Sequence, residues 1–474
     1  MTDESTGGEP AGIGGAPSPP VVSEGWAVSF IRSLFSDLDE AGIGWLVLRN
    51  HQELPDRVGH DLDILVHPGD IARVDPVVRA TVKRRGLLLL RADEGIEHMG
   101  FIVADPDLRG RLSLKLDVQG ALRFRGRTFI DPDDLFANRR QAGGIWAPTA
   151  GMEAYALLLH AALHKAELKA KYADRVRALQ ADEPGGLPRV AVARLPSDVA
   201  RRMAEVRSEG DLLPLKGPLG RAIDRRYPAN LWRRPLFVVR SGVRMTRLRL
   251  RPRGLFVVFL GPDGAGKSST TDMLATMLSA ESNALSVHRV YLGSGQPLLP
   301  TRRFMRWVRG KGRGQTDVKK KVRDVEPRRL RGALHVMVDE ILRYWVQVRP
   351  KLAPHGIVLA DRYAYDVLRV NNPTVRKPWF RKLATKLIPD PDITFFLEGD
   401  PAVITARKSE LTLNETVRQQ TAYRELADLI QDFRPIDLSV RDEAALRGIA
   451  RQILEAYAMR NNGLIPETSA RNGR

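Results

Sequence analysis

One run of residues has the types and spacing to hold a polyphosphate: Gly261-Pro262-Asp263-Gly264-Ala265-Gly266-Lys267-Ser268, followed by Ser269. It fits G-x-x-x-x-G-K-[ST], the phosphate-binding P-loop. The glycines let backbone N–H groups turn inward around phosphate oxygens, and a following helix adds the partial positive charge of its N-terminus. Lys267 is placed to reach the β- and γ-phosphates, and the Ser268 hydroxyl to ligate Mg²⁺. The pattern is short, so its context decides. Leu255-Phe256-Val257-Val258-Phe259-Leu260 before it is an apolar run of strand length. Met273, Leu274, Met277 and Leu278 after it recur at helical spacing. Strand, glycine loop and helix are the order that the motif requires.

Acidic residues form two further groups. Asp61-Leu62-Asp63-Ile64-Leu65-Val66 reads as a strand, which places Asp61 and Asp63 on one face. Carboxylates so close suit a shared Mg²⁺. Asp117, in the alternating run Ser113–Val118, is a third candidate ligand. The plainer reading of the pair is a solvated strand end. In the second group, Gly356-Ile357-Val358-Leu359-Ala360 predicts a buried strand ending in Asp361-Arg362-Tyr363. Ligands of open α/β sheets collect at strand C-terminal ends, so Asp361 is expected to face the P-loop and serve Mg²⁺. Arg362 is suited to clamp an acceptor phosphate. His160 and His164, at i and i+4, lack a matched third ligand and read as packing or phosphate contacts.

The elements that must position these residues follow from periodicity. Trp26, Phe30, Ile31, Leu34, Phe35 and Leu38 mark a helix from about residue 24 to residue 41, and Trp45–Leu48 a strand. Residues 152–180 are helical in pattern, while residues 197–235 give only a weak helical signal. From Gly254 onward strands and helices alternate, with Val287–Leu292 and Ile393–Leu397 as further strands and a helix over 333–348. That alternation predicts a parallel sheet wrapped by helices. Two stretches are basic. Arg240–Arg253, with arginine interleaved among Val, Met and Leu, is expected to be a connector strand or linker, with an anion- or membrane-surface element as the alternative. Arg302–Arg331 is either a lid over phosphates or a solvated insertion.

The chain has 474 residues, too many for one ordinary core. The predicted division is a disordered tail over 1–22, an α+β domain with a helical cap over 23–235, a basic linker over 236–253, an α/β domain over 254–460 and a flexible tail over 461–474. No cysteine is present, so disulfides and thiolate metal sites are excluded. The absence of a long apolar run predicts a soluble, cytoplasmic chain. A net charge of +19 favours anionic partners: nucleotide substrates, nucleic acid or an acidic membrane surface. Arginine-rich coding bias accounts for the same number without any partner.

The N-terminal pattern resembles the nucleotidyltransferase superfamily. That family has a Gly-[Gly/Ser] pair, about ten residues, then Asp-x-[Asp/Glu], and a third acid on a neighbouring strand. Here Arg49-Asn50 stands in place of the glycine pair, with ten residues between Asn50 and Asp61. The C-terminal pattern, roughly Leu255–Tyr457, resembles the thymidylate kinase family of P-loop nucleoside monophosphate kinases. It does so through the P-loop, Asp361-Arg362-Tyr363, Pro391-Asp392 before a strand and Asp400-Pro401 entering a helix. That resemblance implies ATP and Mg²⁺ as cofactors, Asp263 near the acceptor sugar or the catalytic machinery, and a homodimer. It also implies that the catalytic cation comes from a lid, where Arg407, Lys408 and Arg418 are the candidates. Ala364-Tyr365-Asp366 departs from the family's thymine-reading segment, and Asp339-Glu340 stands where an acceptor-phosphate arginine is usual.

Overall fold

The computed structural model describes residues 25–59, 61–95, 97–108, 113–164, 170–181, 187–279, 285–293, 298, 330–367, 377–407, 412–438 and 442–466. The tail over 1–22, most of the basic stretch Arg302–Arg331, and Lys408 lie outside the described residues.

The first sheet contains β1 (Trp45–Val47), β2 (Asp61–Val66), β3 (Leu88–Glu94), β4 (His98–Ala104) and β5 (Ser113–Gln119), in the order β1-β2-β5-β4-β3. Only the β2–β5 pair is parallel. Alternation gives the strands two faces, broken in β3 by an irregularity between Leu89 and Arg91. Leu62, Ile64, Phe101, Val103, Leu114 and Leu116 turn to one side, where they share a core with Phe30, Ile31 and Leu34 of the helix Gly25–Glu40 and with Val74 and Val78 of the helix Ile71–Arg84. The opposite side is divided. Leu46 and Leu65 pack on the helix Ala150–His164 through Leu158 and Leu159. Leu88, Leu90, Ile102 and Ala104 join Phe259, Leu274 and Tyr457 of the C-terminal part in one apolar cluster. The face of β5 that carries Lys115 and Asp117 lies between those two contacts. Two small hairpins follow, β6 (Leu122–Phe124) with β7 (Arg127–Ile130) and β8 (Arg139–Ala142) with β9 (Ile145–Pro148).

The second sheet contains β10 (Leu255–Leu260), β11 (Val287–Tyr291), β12 (Ile357–Asp361), β13 (Ile393–Glu398) and β14 (Phe433–Asp437), in the order β11-β12-β10-β13-β14 with every pair parallel. All six residues of β10 are buried, which explains its continuous apolar run. This is a mixed α/β chain with a helix-wrapped parallel sheet, compatible with a P-loop kinase-like fold.

The structure departs from the sequence reading in three places. The helical stretch over 152–180 is two helices, Ala150–His164 and Ala170–Ala181. The basic junction is neither a strand nor a bare linker: Asn230–Leu250 is one helix of 21 residues. Asn230 anchors it, accepting from the Thr128 amide at 2.9 Å and donating to the Thr128 carbonyl at 3.0 Å. The segment expected to fray from residue 461 docks instead. Leu464 pairs with Leu89 on the outer edge of β3 through N–H···O bonds of 3.0 and 2.9 Å. Buried Asn461 meets His355 at 2.9 Å.

A Cβ on Gly463 would stand 2.0 Å from the Leu89 carbonyl oxygen. Gly463→Ala is therefore expected to break this docking, at a cost of about 1–3 kcal/mol typical of overpacking. A thermal midpoint equal to that of the parent chain would contradict this expectation.

Candidate active site

The P-loop leaves the C-terminal end of β10, the central strand, and leads into the helix Lys267–Ser279. Gly261, Gly264 and Gly266 have φ of 150°, 93° and 88°, a region that side chains disfavour. A Cβ on Gly261 would also stand 2.5 Å from the Leu397 carbonyl oxygen. Lys267 is 5% exposed, and its ammonium donates to the carbonyls of Gly261 and Pro262 at 2.9 and 2.8 Å. Burial, reinforced by the nearby Arg362 guanidinium, pulls its pKa down to about 8 against the opposing field of Asp263, Asp366 and Asp361. The lysine thus caps the loop's own carbonyls, and an anion beside it would further favour its charged form.

Asp361 ends β12, the strand next to β10, as expected of a switch-point carboxylate. Its Oδ2 accepts from the Ser268 hydroxyl at 2.5 Å. Its Oδ1 is buried and has no hydrogen-bond partner. An orphaned carboxylate oxygen beside a P-loop serine is the donor set of a hard divalent cation. These residues therefore fit Mg²⁺.

Arg362 adopts φ 71°, a left-handed conformation rare for a non-glycine residue. It is anchored there by the Asp263 carboxylate and by Asp366 at 3.2 Å. Burial opposes its charge, but Asp366 and Asp263 outweigh that and raise its pKa above the ordinary arginine value. Asp366 also accepts from the Tyr423 hydroxyl at 2.6 Å, which ties the helix Leu413–Arg424 to the arginine.

Of the lid candidates, Arg407 ends the helix Pro401–Arg407, and its side chain lies outside what the structure describes. Arg418 is exposed on the next helix and pairs with Glu415 at 2.7 Å. Asp339 and Glu340 are buried, and Arg343 on the same helix is buried with them. Its guanidinium is fully buried and donates to the carbonyls of Tyr291, Leu292 and Gly293. It fixes the chain at the end of β11.

The N-terminal carboxylates share a sheet face. Asp63 and Asp117 are register partners on β2 and β5. Each already has a cation of its own: Arg49 meets Asp63 at 2.6 Å, and Lys115 meets Asp117. Asp61 is exposed at the strand end. Among the described residues, no three His, Asp or Glu side chains gather as a metal-holding group. A cavity of about 190 Å³ opens beside Arg49 and is lined also by Asn50, Gln52, Glu153, Tyr172 and Arg175. Burial opposes the Glu153 charge, but His51 and Arg175 outweigh it and hold its pKa below the ordinary carboxylate value.

No family model matches the chain. A curated protein from Pyrobaculum aerophilum named "Probable thymidylate kinase" is 24% identical to it over 205 residues, which is 42% of this chain and 95% of that protein. Weak homology to thymidylate kinase covers about two-fifths of the chain. The crystal structure of thymidylate kinase from Ehrlichia chaffeensis is 18% identical, covers 43% of this chain and 97% of its own, and has a TM-score of 0.28.

The residues that the sequence reading places near one another, Asp263, Lys267, Ser268, Asp361 and Arg362, do meet. Asp366 and Tyr423 were missed as site residues. Asp366 lies four positions after Arg362, a spacing that could have signalled the pair. Tyr423 carries no such signal, because 57 residues separate it from Asp366.

Proposed function

We propose that the C-terminal part, over 254–460, is an ATP- and Mg²⁺-dependent kinase acting on a nucleoside monophosphate, dTMP-like, or on a related phosphorylated small molecule. The terminal phosphoryl group of ATP passes to a phosphate oxygen of the acceptor, leaving ADP and a diphosphate. The observation that carries this reading is the Ser268–Asp361 contact with its orphaned carboxylate oxygen beside buried Lys267. Ser268 and Asp361 would hold Mg²⁺, which would supply charge neutralisation on the phosphates. Lys267 releases the loop carbonyls and pairs with the β- and γ-phosphates. The loop amides fix the phosphate chain, and Arg362, set by Asp263 and Asp366, orients the acceptor phosphate. Such catalysis is positioning and charge neutralisation.

The test is ADP formation across ribo- and deoxyribonucleoside monophosphates, dTMP included, in the parent chain and in Lys267→Ala. Acceptor-stimulated turnover that needs Lys267 is the expected result. Turnover that survives unchanged in the variant would sink the proposal.

Protonation of Lys267 sets a pH dependence. The free site has a pKa of about 8, and bound phosphates favour the charged form. Above pH 8, binding must therefore take up a proton, while below it the lysine is already charged. The ATP dissociation constant is expected to be flat below pH 8 and to rise by up to about tenfold per unit above it. Calorimetric titration across pH 7–10 measures this directly, and an affinity constant across that range would contradict it.

A second reading places nucleotidyl transfer at Asp61, Asp63 and Asp117, favoured by the Asp63–Asp117 register. It expects pyrophosphate release from a nucleoside triphosphate that Asp63→Asn abolishes and Lys267→Ala spares.

A further inference from the structure

The helix Asn230–Leu250 presents two distinct faces. Phe237, Ser241, Arg244 and Leu248, at i, i+4, i+7 and i+11, line a cavity of about 400 Å³ shared with Arg91, Asp117 and His355. Trp232, Leu236, Val239, Val243 and Leu250 point away from it. They are 81%, 53%, 62%, 50% and 66% exposed. At 100° per residue these five fall within an arc of about 60°, so they form one apolar stripe facing solvent. Arg240 and Arg247 run along one border of that stripe, while Arg249 lies about 80° beyond its other edge, in line with the exposed Leu231.

The helix holds six arginines and no acid. Asp224 neutralises Arg234, and Asp93 approaches Arg253 just beyond the helix. Arg240, Arg247 and Arg249 have no acidic partner among the described residues. The fold therefore leaves bare an apolar strip with a cationic border, about 27 Å long at 1.5 Å per residue.

We propose that this outer face docks on an anionic lipid surface. The arginines match the phosphates of acidic headgroups, and the Trp, Leu and Val side chains enter the boundary of the acyl region. A nucleic acid would pair with the arginines, but its backbone has no apolar surface with which to cover four aliphatic side chains. No described helix is long and apolar enough to cross a membrane, so the contact lies in the plane of the surface.

The test is co-sedimentation of the full chain at low ionic strength with vesicles of phosphatidylcholine alone, or with about one-third phosphatidylglycerol. The expected result is binding to the anionic vesicles, weakened by salt, with little on neutral ones. Val239→Glu with Val243→Glu should reduce that binding at least tenfold while circular dichroism and the thermal midpoint stay unchanged, since both residues are exposed. Arg240→Gln with Arg247→Gln should reduce both the binding and its salt dependence. Equal binding by the glutamate variant, or equal binding to neutral vesicles, overturns the proposal. So does binding to duplex DNA or RNA that the arginine variant loses and the glutamate variant keeps. Self-association abolished by the glutamate variant, with no vesicle binding, would assign the face to a second copy of the chain.

Discussion

Lys267→Ala is expected to lower acceptor-dependent ADP formation by about three orders of magnitude or more, the scale of removing a preorganised charge from a phosphoryl-transfer site. The ammonium is buried and donates to the loop carbonyls of Gly261 and Pro262. It also lies 3.9 Å from the Asp263 carboxylate. Its removal vacates a buried position whose charge phosphates would stabilise further, so the defect should fall on turnover and nucleotide affinity together. Stability should change little, because the same substitution removes the cost of burying a cation whose pKa is already pulled down to about 8. Steady-state rates paired with thermal melts separate the two effects. A variant that melts early and retains its specific activity would mean that Lys267 is structural.

Asp361→Asn should impair function without a loss of stability. One carboxylate oxygen accepts from Ser268, while the other is buried with no hydrogen bond. A buried polar atom left unsatisfied costs about 1–3 kcal/mol, and more if it is charged. Asparagine keeps the shape and removes the charge, so the ligand-free thermal midpoint should not fall. The variant should nevertheless need far more Mg²⁺, and its rate at saturating metal should drop by about 10²-fold or more. A magnesium titration of the rate checks the first expectation, and calorimetry of the ligand-free protein the second. An unaltered magnesium requirement would remove Asp361 from the metal site.

The parts legible in the sequence are those in which a local pattern and a structural need coincide. Leu255–Leu260 is apolar throughout because β10 is covered on both faces, and the glycines after it occupy backbone angles that few other residues tolerate. Asp61 and Asp63 alternate with Leu62 and Ile64 because one face of β2 is core. The helix over 230–250 was obscured by Pro235, by Gly242 and by three valines, all poor helix formers. Its apolar residues also divide between two opposite faces, which blurs the single stripe that marks an ordinary amphipathic helix. The Tyr423–Asp366–Arg362 connection and the docking of Leu464 depend on contacts distant in sequence, which no local spacing encodes.

The pairing of Leu464 with Leu89 has a consequence for the order in which the protein is made. β3 is an edge strand, and residues 461–466 cover the side that no other strand occupies. The covering segment is synthesised 375 residues after the strand, from Leu89 to Leu464. At ribosomal rates that interval is roughly 20–75 s. Throughout it, a newly made β3 offers unpaired backbone groups and the apolar side chains Leu88 and Leu90 to any neighbouring nascent chain. Residues 461–466 thus act as a late seal on an edge made 375 residues earlier, and that edge is open to aggregation until the seal arrives.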